Sequence, residues 1–420
     1  MFSPVHLPQR RISDFEPIIG AEAIQRLREL AASVTNKRVL HLTVAQQFGT
    51  RVAETLSAIV PLLIDLGVPS EWQVLRATED SMRTMNVLYR TLGGDTREWR
   101  PDVEMSWLEY LRFNASQLDD QFDVVVAHDP QTAGLAMLAH EVGGPSSDSR
   151  WIWHNHIDLS SAPDTVRRLF LRYAAGNSLV LASSLDSLGP AEDQSALSIR
   201  LVNQGIDPLN VKNADAGPAL TRAVVEAYGL HPEAPLILQA APPDGWHNSL
   251  MLIDAFEQVK KQAPSLQLVL ATPTIPLGGL GPPEILDEVM ARSSHIRDMR
   301  VLSGNEGIGN AEINALQRAA AVVAHLSSRR LFHFGIAEAS WKARPVIGAA
   351  EGMALPQIVD ERCGYTISGL TDLEEHIAAL IQSQELRHMM GEGGRELVRS
   401  NFLVTNLLED YLRILNQDGS

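Results

Sequence analysis

Short apolar runs rich in β-branched residues alternate with longer segments of helical period along this chain, and the alternation occurs as two successive series. Strands buried on both faces of a parallel sheet read as continuous apolar runs, so this rhythm predicts an α/β protein built from βαβ units. The first series is Val39-Leu40-His41-Leu42, Trp72-Gln73-Val74-Leu75, Val124-Val125-Val126, Trp151-Ile152-Trp153 and Leu179-Val180-Leu181. The second comprises Leu236-Ile237-Leu238, Leu266-Gln267-Leu268-Val269-Leu270, Val322-Val323-Ala324 and Pro345-Val346-Ile347. Between them the stretch 207–217, with Pro208, Asn210, Asn213 and Gly217, reads as a hinge. Segment 51–66 sets Val52, Leu56, Ile59, Val60 and Leu63 on one face, which predicts a helix after the first strand, kinked at Pro61. Leu250, Ile253, Ala255, Phe256 and Val259 form another stripe ended by Pro264, and a last amphipathic helix is predicted over 401–416.

A chain of 420 residues exceeds the roughly 250–300 at which single cores stop growing, so two domains are expected. Hydrophobic content of 45% against 20% charged is that of a packed globular protein. Thirty-five Lys+Arg against 51 Asp+Glu leave a net charge of −16, which repels nucleic acid and anionic lipid. The single cysteine, Cys363, allows neither an intrachain disulfide nor a thiolate metal cage and fits a reducing compartment. No apolar stretch approaches the roughly 18–20 residues of a membrane span, and the first residues lack a secretory pattern, so a soluble cytoplasmic protein is expected.

Open α/β sheets bind ligands beyond the carboxyl ends of their strands, which directs attention to the loops there. His128-Asp129-Pro130-Gln131 closes one strand, as either a plain turn or a site. His156 and Asp158 alternate on one side of the segment after another strand, as either a structural pair or a site. His154 shares a face with His156 and is zinc-ligand chemistry in principle, but the sequence offers no third ligand, so no metal is expected. Trp151, Trp153, Trp246 and Trp341 are core residues or ligand-stacking surfaces. Arg51, Arg329 and Arg330 read as solvated charge, with Arg51 and Arg330 as alternative anion ligands.

Several motifs occur in order and at matching spacing: Gln47-Phe48-Gly49-Thr50-Arg51-Val52-Ala53-Glu54, His128-Asp129-Pro130-Gln131, His154-Asn155-His156-Ile157-Asp158-Leu159-Ser160, Gly205-Ile206-Asp207-Pro208-Leu209 and Glu338-Ala339-Ser340-Trp341-Lys342. Over residues 15–415 the chain thereby resembles the trehalose-forming retaining glycosyltransferases. That resemblance implies the GT-B fold, two Rossmann-like domains with parallel sheets facing a central cleft. The implied boundaries are an acceptor-side domain over 1–212, a nucleotide-sugar-side domain over 213–400, and a helix over 401–420 packing back on the first. It further implies transfer of glucose from a nucleotide-sugar to glucose or a related acceptor, with no cofactor and a homodimer as in relatives. The implied roles are His156 and Asp158 for catalysis, His128, Asp129 and Gln131 for the acceptor, and Gly49, Arg51, His247, Arg330 and Glu338 for the donor.

The donor side departs from the family pattern. Relatives carry a glycine run after the first strand, where only Gly49 remains, and an Arg and a Lys five residues apart where Pro242 and His247 stand. Relatives also carry two glutamates, the first replaced by Arg330 and the second kept as Glu338, with Leu331-Phe332-His333-Phe334 in place of a glycine-rich turn. The expected function is therefore a glycosyltransferase with altered or weakened donor use. The other readings are a non-catalytic relative that binds a sugar or a protein, and, more remotely, a sugar phosphorylase.

Overall fold

A computed structural model describes residues 3–44, 50–95, 97–118, 120–241, 247–272, 283–303, 308–352 and 357–417. The chain forms two compact units, one of Met1–Gly205 with Val404–Ser420, the other of Ile206–Leu403.

The first unit holds a seven-stranded sheet of β1 (Ser3–Pro4), β2 (Val39–Thr43), β3 (Ser70–Val74), β4 (Val124–His128), β5 (Arg150–His154), β6 (Leu179–Ala182) and β7 (Ile199–Leu201). Its spatial order is β1-β3-β2-β4-β5-β6-β7, with only β1 antiparallel to its neighbour. β2 and β4 are buried along their whole length, which is why they read as largely apolar runs. The helix Arg51–Asp65 follows β2 and buries Val52, Leu56, Ile59, Val60 and Leu63, the expected face. It continues through Pro61 to Asp65, and Thr50 caps it by accepting from the Ala53 amide at 3.1 Å. Trp107, Trp151, Trp153 and Phe170 fill the core on one side of the sheet.

The terminal helix Val404–Leu415 packs in this same unit. Lys37 Nζ donates to the Leu415 carbonyl at 2.7 Å and Arg150 Nη1 to the Ile414 carbonyl at 2.8 Å, so two cations hold the carbonyl end of that helix.

The second unit holds β8 (Leu236–Ala240), β9 (Gln267–Thr272), β10 (Met299–Ser303), β11 (Val322–His325), β12 (Val346–Ala349) and β13 (Gly364–Ile367), all parallel, in the order β10-β9-β8-β11-β12-β13. Leu252, Phe256, Leu268, Ile347 and Leu373 belong to one covering core, Leu238, Val269, Leu316 and Ile336 to the other. The stripe predicted between the first two strands lies on the helix Ser249–Lys260.

The parallel strands of each sheet reverse their direction of travel at one place, between β2 and β4 in the first unit and between β8 and β11 in the second. Crevices at such reversals are where open α/β sheets hold ligands, because the following loops diverge there. Among the described residues no helix is long and apolar enough to cross a membrane.

Candidate functional site

Strand pairing at the first reversal gathers histidines on one face of the sheet. His128 lies opposite His154 in the β4–β5 register, and His41 lies opposite Val126, two residues before His128. Side chains two residues apart share a face, so His41, His128 and His154 point the same way, and all three are buried. His156 follows on the loop after β5, its ring centroid 4.0 Å from that of His154.

These imidazoles bond to one another. His41 Nδ1 lies 3.0 Å from His128 Nε2, and His128 Nδ1 lies 3.1 Å from His156 Nε2. His154 takes a different pair of partners, Tyr411 Oη on the terminal helix at 2.7 Å and Gln204 Nε2 at 2.7 Å. Burial pushes His41 and His156 down to about 3, and burial together with the neighbouring rings holds His128 and His154 well below the ordinary imidazole range. All four are neutral at pH 7, so each ring offers one N–H and one lone pair, the condition for imidazole–imidazole hydrogen bonds.

His128, His154 and His156 each offer a nitrogen within 4.8 Å of the others, so the missing third imidazole beside His154 and His156 is supplied by β4. The sequence expectation fails on that point because the neighbour comes from strand pairing. Zinc would need open lone pairs about 2.0–2.1 Å away. Both His154 nitrogens are already engaged, which makes the set a hydrogen-bonded cluster rather than a ready metal cage.

The end of β4 is strained. Asp129 has φ 70 and ψ 147, a conformation that costs a non-glycine residue on the order of 1–3 kcal/mol and persists where function or packing enforces it. Its Oδ2 accepts from the Val44 amide at 3.1 Å, tying the end of β2 to the end of β4. Its carbonyl accepts from Trp153 Nε1 at 3.1 Å and from Thr132 Oγ1 at 2.9 Å. The Gln131 carbonyl accepts from Trp107 Nε1 at 2.7 Å, while the buried Gln131 Oε1 has no hydrogen-bond partner among the described residues. Asp158 is buried, and its Oδ1 accepts from the Ser160 amide at 2.9 Å. Arg51 opens the Arg51–Asp65 helix and pairs with Glu54 at 3.1 Å. Gly49, Pro242 and Trp246 lie outside the described residues. Trp151 and Trp153 are fully buried and therefore core, whereas Trp341 is half-buried under the Arg395 guanidinium, 5.3 Å from its ring.

In the second unit the loop ends around the reversal are also histidine-rich. His247 precedes the helix Ser249–Lys260; its carbonyl accepts from Gln239 Nε2 at 2.8 Å, and Ser249 Oγ donates to Gln239 Oε1 at 2.6 Å. The ring of His325, at the end of β11, meets His247 edge-on at 5.6 Å and His333 at 4.7 Å. The bulky turn after β11 packs Phe332 against Phe334 and Phe402, with centroids 4.9 and 5.5 Å away. Arg330 is exposed on that turn.

Glu338 lies past the first turn of its helix. It is the fifth residue of the helix Phe334–Trp341 and is buried, a position in which a carboxylate needs specific partners. One turn on, Lys342 is also buried; its Nζ donates to Asn213 Oδ1 at 2.9 Å and to the Glu338 carbonyl at 3.0 Å.

Comparison with known proteins agrees with this architecture. The model of the trehalose synthase N-terminal domain matches residues 43–185, which contain the end of β2, all of β3 to β6, and His128, His154 and His156. Trehalose synthase of Thermococcus litoralis is 31% identical over 413 residues, covering 97% of each chain. Among solved structures, α,α-trehalose-phosphate synthase (UDP-forming) from Burkholderia xenovorans in complex with glucose-6-phosphate is similar with a TM-score of 0.72 and 12% identity, over 90% of this chain and 100% of that one. Anabaena Alr3699/HepE in complex with UDP and glucose is similar with a TM-score of 0.64 and 15% identity, over 91% of this chain and 100% of that one. Those structural likenesses show the GT-B fold, and the whole-length identity of 31% shows that this chain belongs to the trehalose synthase family.

Proposed function

We propose that this protein is a retaining glycosyltransferase that moves glucose from a nucleotide-sugar to glucose or a related acceptor, through a donor site altered from that of its relatives. The observation that carries the reading is the pair at the first sheet reversal: buried neutral His128 bonded to partly open His156, beside the strained Asp129. Preorganised dipoles at fixed positions suit a transfer in which charge develops on a sugar and its leaving group. Whole-length kinship with trehalose synthases supports the substrate class.

In this reading His156 and Asp158 contact the transferred sugar, and His128, Asp129 and Gln131 line the acceptor side. Gly49, Arg51, His247, Arg330 and Glu338 serve the donor, Glu338 through its buried carboxylate. A departing diphosphate needs cationic or N–H partners. Pro242 and His247 occupy the places of the usual cations, so we assign that role to Arg51 and Arg330, whose planar guanidinium groups suit phosphate oxygens. The chemistry calls for no metal.

The second reading, a sugar-binding relative without turnover, rests on the same substitutions at 242, 247 and 330. Incubating the protein with UDP-, ADP- or GDP-glucose and glucose, then separating the sugars, distinguishes the two. The transferase reading predicts a new disaccharide with at least one donor. If no donor is consumed while trehalose alone raises the melting temperature, the binding reading replaces it; a ligand at 100 times its Kd adds about 2.7 kcal/mol.

A further inference from the structure

The hydrogen-bonded chain His41–His128–His156 has two unlike ends. At the inner end, His41 Nε2 is buried and has no hydrogen-bond partner among the described residues. At the outer end, His156 is only partly buried, and its Nε2 is taken up by His128. Heavy-atom distances of 3.0 and 3.1 Å fit either of two proton arrangements, because neutral imidazole donates from one nitrogen and accepts at the other.

The inner end breaks the tie. If the protons ran inward, from His156 Nε2–H to His128 and from His128 Nε2–H to His41, the last N–H would sit at His41 Nε2, buried against nothing. If they run outward, the inner end carries only an unused lone pair. Orphaned buried N–H groups are the rarer and costlier of the two in folded proteins. We propose that His41 and His128 are positioning residues that fix all three rings in the Nδ1–H form, so that His156 presents an N–H donor from Nδ1 to an oxygen acceptor of the sugar, a hydroxyl or the ring oxygen.

The proton arrangement stands on the chain's own geometry; the identity of the acceptor rests on the reading of His156 as a sugar contact. A cationic group is not what this site selects, since the ring is neutral and its Nδ1 donates. The arrangement also gives a function to His41, which lies inside a strand and away from the loops, because it sets which nitrogen of a ring two members away carries the proton.

The test is histidine-selective 15N labelling of the full chain and long-range 1H–15N correlation, with single-histidine variants for assignment. The expected result is protonated Nδ1 and bare Nε2 on His41, His128 and His156. His41→Phe removes the inner donor and is expected to shift the ring nitrogens of His128 while those of His154 keep their positions. A protonated Nε2 on any of the three rings in the unsubstituted protein overturns the proposal, as does stoichiometric zinc that moves these resonances on removal. The wild-type spectrum decides even if His41→Phe fails to fold. Saturating trehalose is then added: a shift of the His156 Nδ1–H supports the sugar contact, whereas trehalose binding without that shift removes the contact and leaves the proton arrangement standing.

Discussion

Acidifying this protein from pH 7.5 to pH 5.0 should weaken its first unit through its buried imidazoles. In the unfolded chain each histidine takes up a proton near 6.5, but in the folded chain His41 and His156 resist protonation down to about 3. Between those values unfolding binds protons, so stability falls as pH drops through 6.5 and the loss levels off only near 3. At pH 5 the difference is roughly 1.5 pH units below the unfolded value, about 2 kcal/mol per ring and about 4 kcal/mol for the pair. His128 and His154 are depressed in the same direction and add to it. Against a typical domain stability of about 5–15 kcal/mol this is a large fraction. At about 2–4 °C per kcal/mol for a unit of this size, the melting point should fall by roughly 8–16 °C. The approach to a sequence pI of about 5.3 relieves self-repulsion and works against the fall, so a drop seen in this window belongs to the imidazoles. Trp72, Trp107, Trp151 and Trp153 are buried in the first unit, which makes tryptophan fluorescence during heating a suitable readout. A midpoint that stays flat or rises between pH 7 and pH 5 would show that the cluster is not buried and neutral as described.

Other outcomes follow from single groups. Replacing Arg51 and Arg330 together with Ala should lower affinity for a nucleotide-sugar by roughly 10–150-fold per lost charged hydrogen bond, read by calorimetry, and unchanged affinity would return both to ordinary surface charge. Glu338→Ala should weaken donor binding by a similar factor while leaving trehalose binding intact; equal loss of both ligands would mark Glu338 as purely structural. Ala343 holds φ 55 just past the end of the helix Phe334–Trp341, the place where glycine is favoured, so Ala343→Gly should raise stability by about 0.5–1 kcal/mol in denaturant titration without changing ligand binding.

The strands legible in the sequence are those in the interior of each sheet, where helices cover both faces. Those missed, β1, β7, β10 and β13, are the four sheet edges. Arg200 and Arg300 show why: a strand paired on one side only is half in water and carries charge within its run. The terminal helix is legible in its apolar stripe but not in its start, because Phe402 and Leu403 link it to a preceding helix that ends at Asn401. The position of Glu338 within its helix is hard to read because the start at Phe334 carries no side-chain cap; His333 occupies that position without such a bond. At the site, His128, His156 and Asp158 stand out by spacing, whereas His41 is hidden inside an apolar run. Nothing local marks it; only the β2–β4 register brings it to His128. Tyr411 and Gln204 are invisible for the same reason, being partners of His154 from remote stretches of chain.

The proposed transfer can be watched in one tube. A nucleotide-glucose donor and glucose labelled with 13C at its anomeric carbon are mixed with the protein, and the carbon spectrum is followed with time. The labelled carbon is expected to move into an α,α-1,1 linkage as nucleotide diphosphate appears in equal amount. Labelled glucose that stays free while the folded protein binds trehalose, with UDP-, ADP- and GDP-glucose all left intact, would mean that this member of the family recognises the sugar and does not make it.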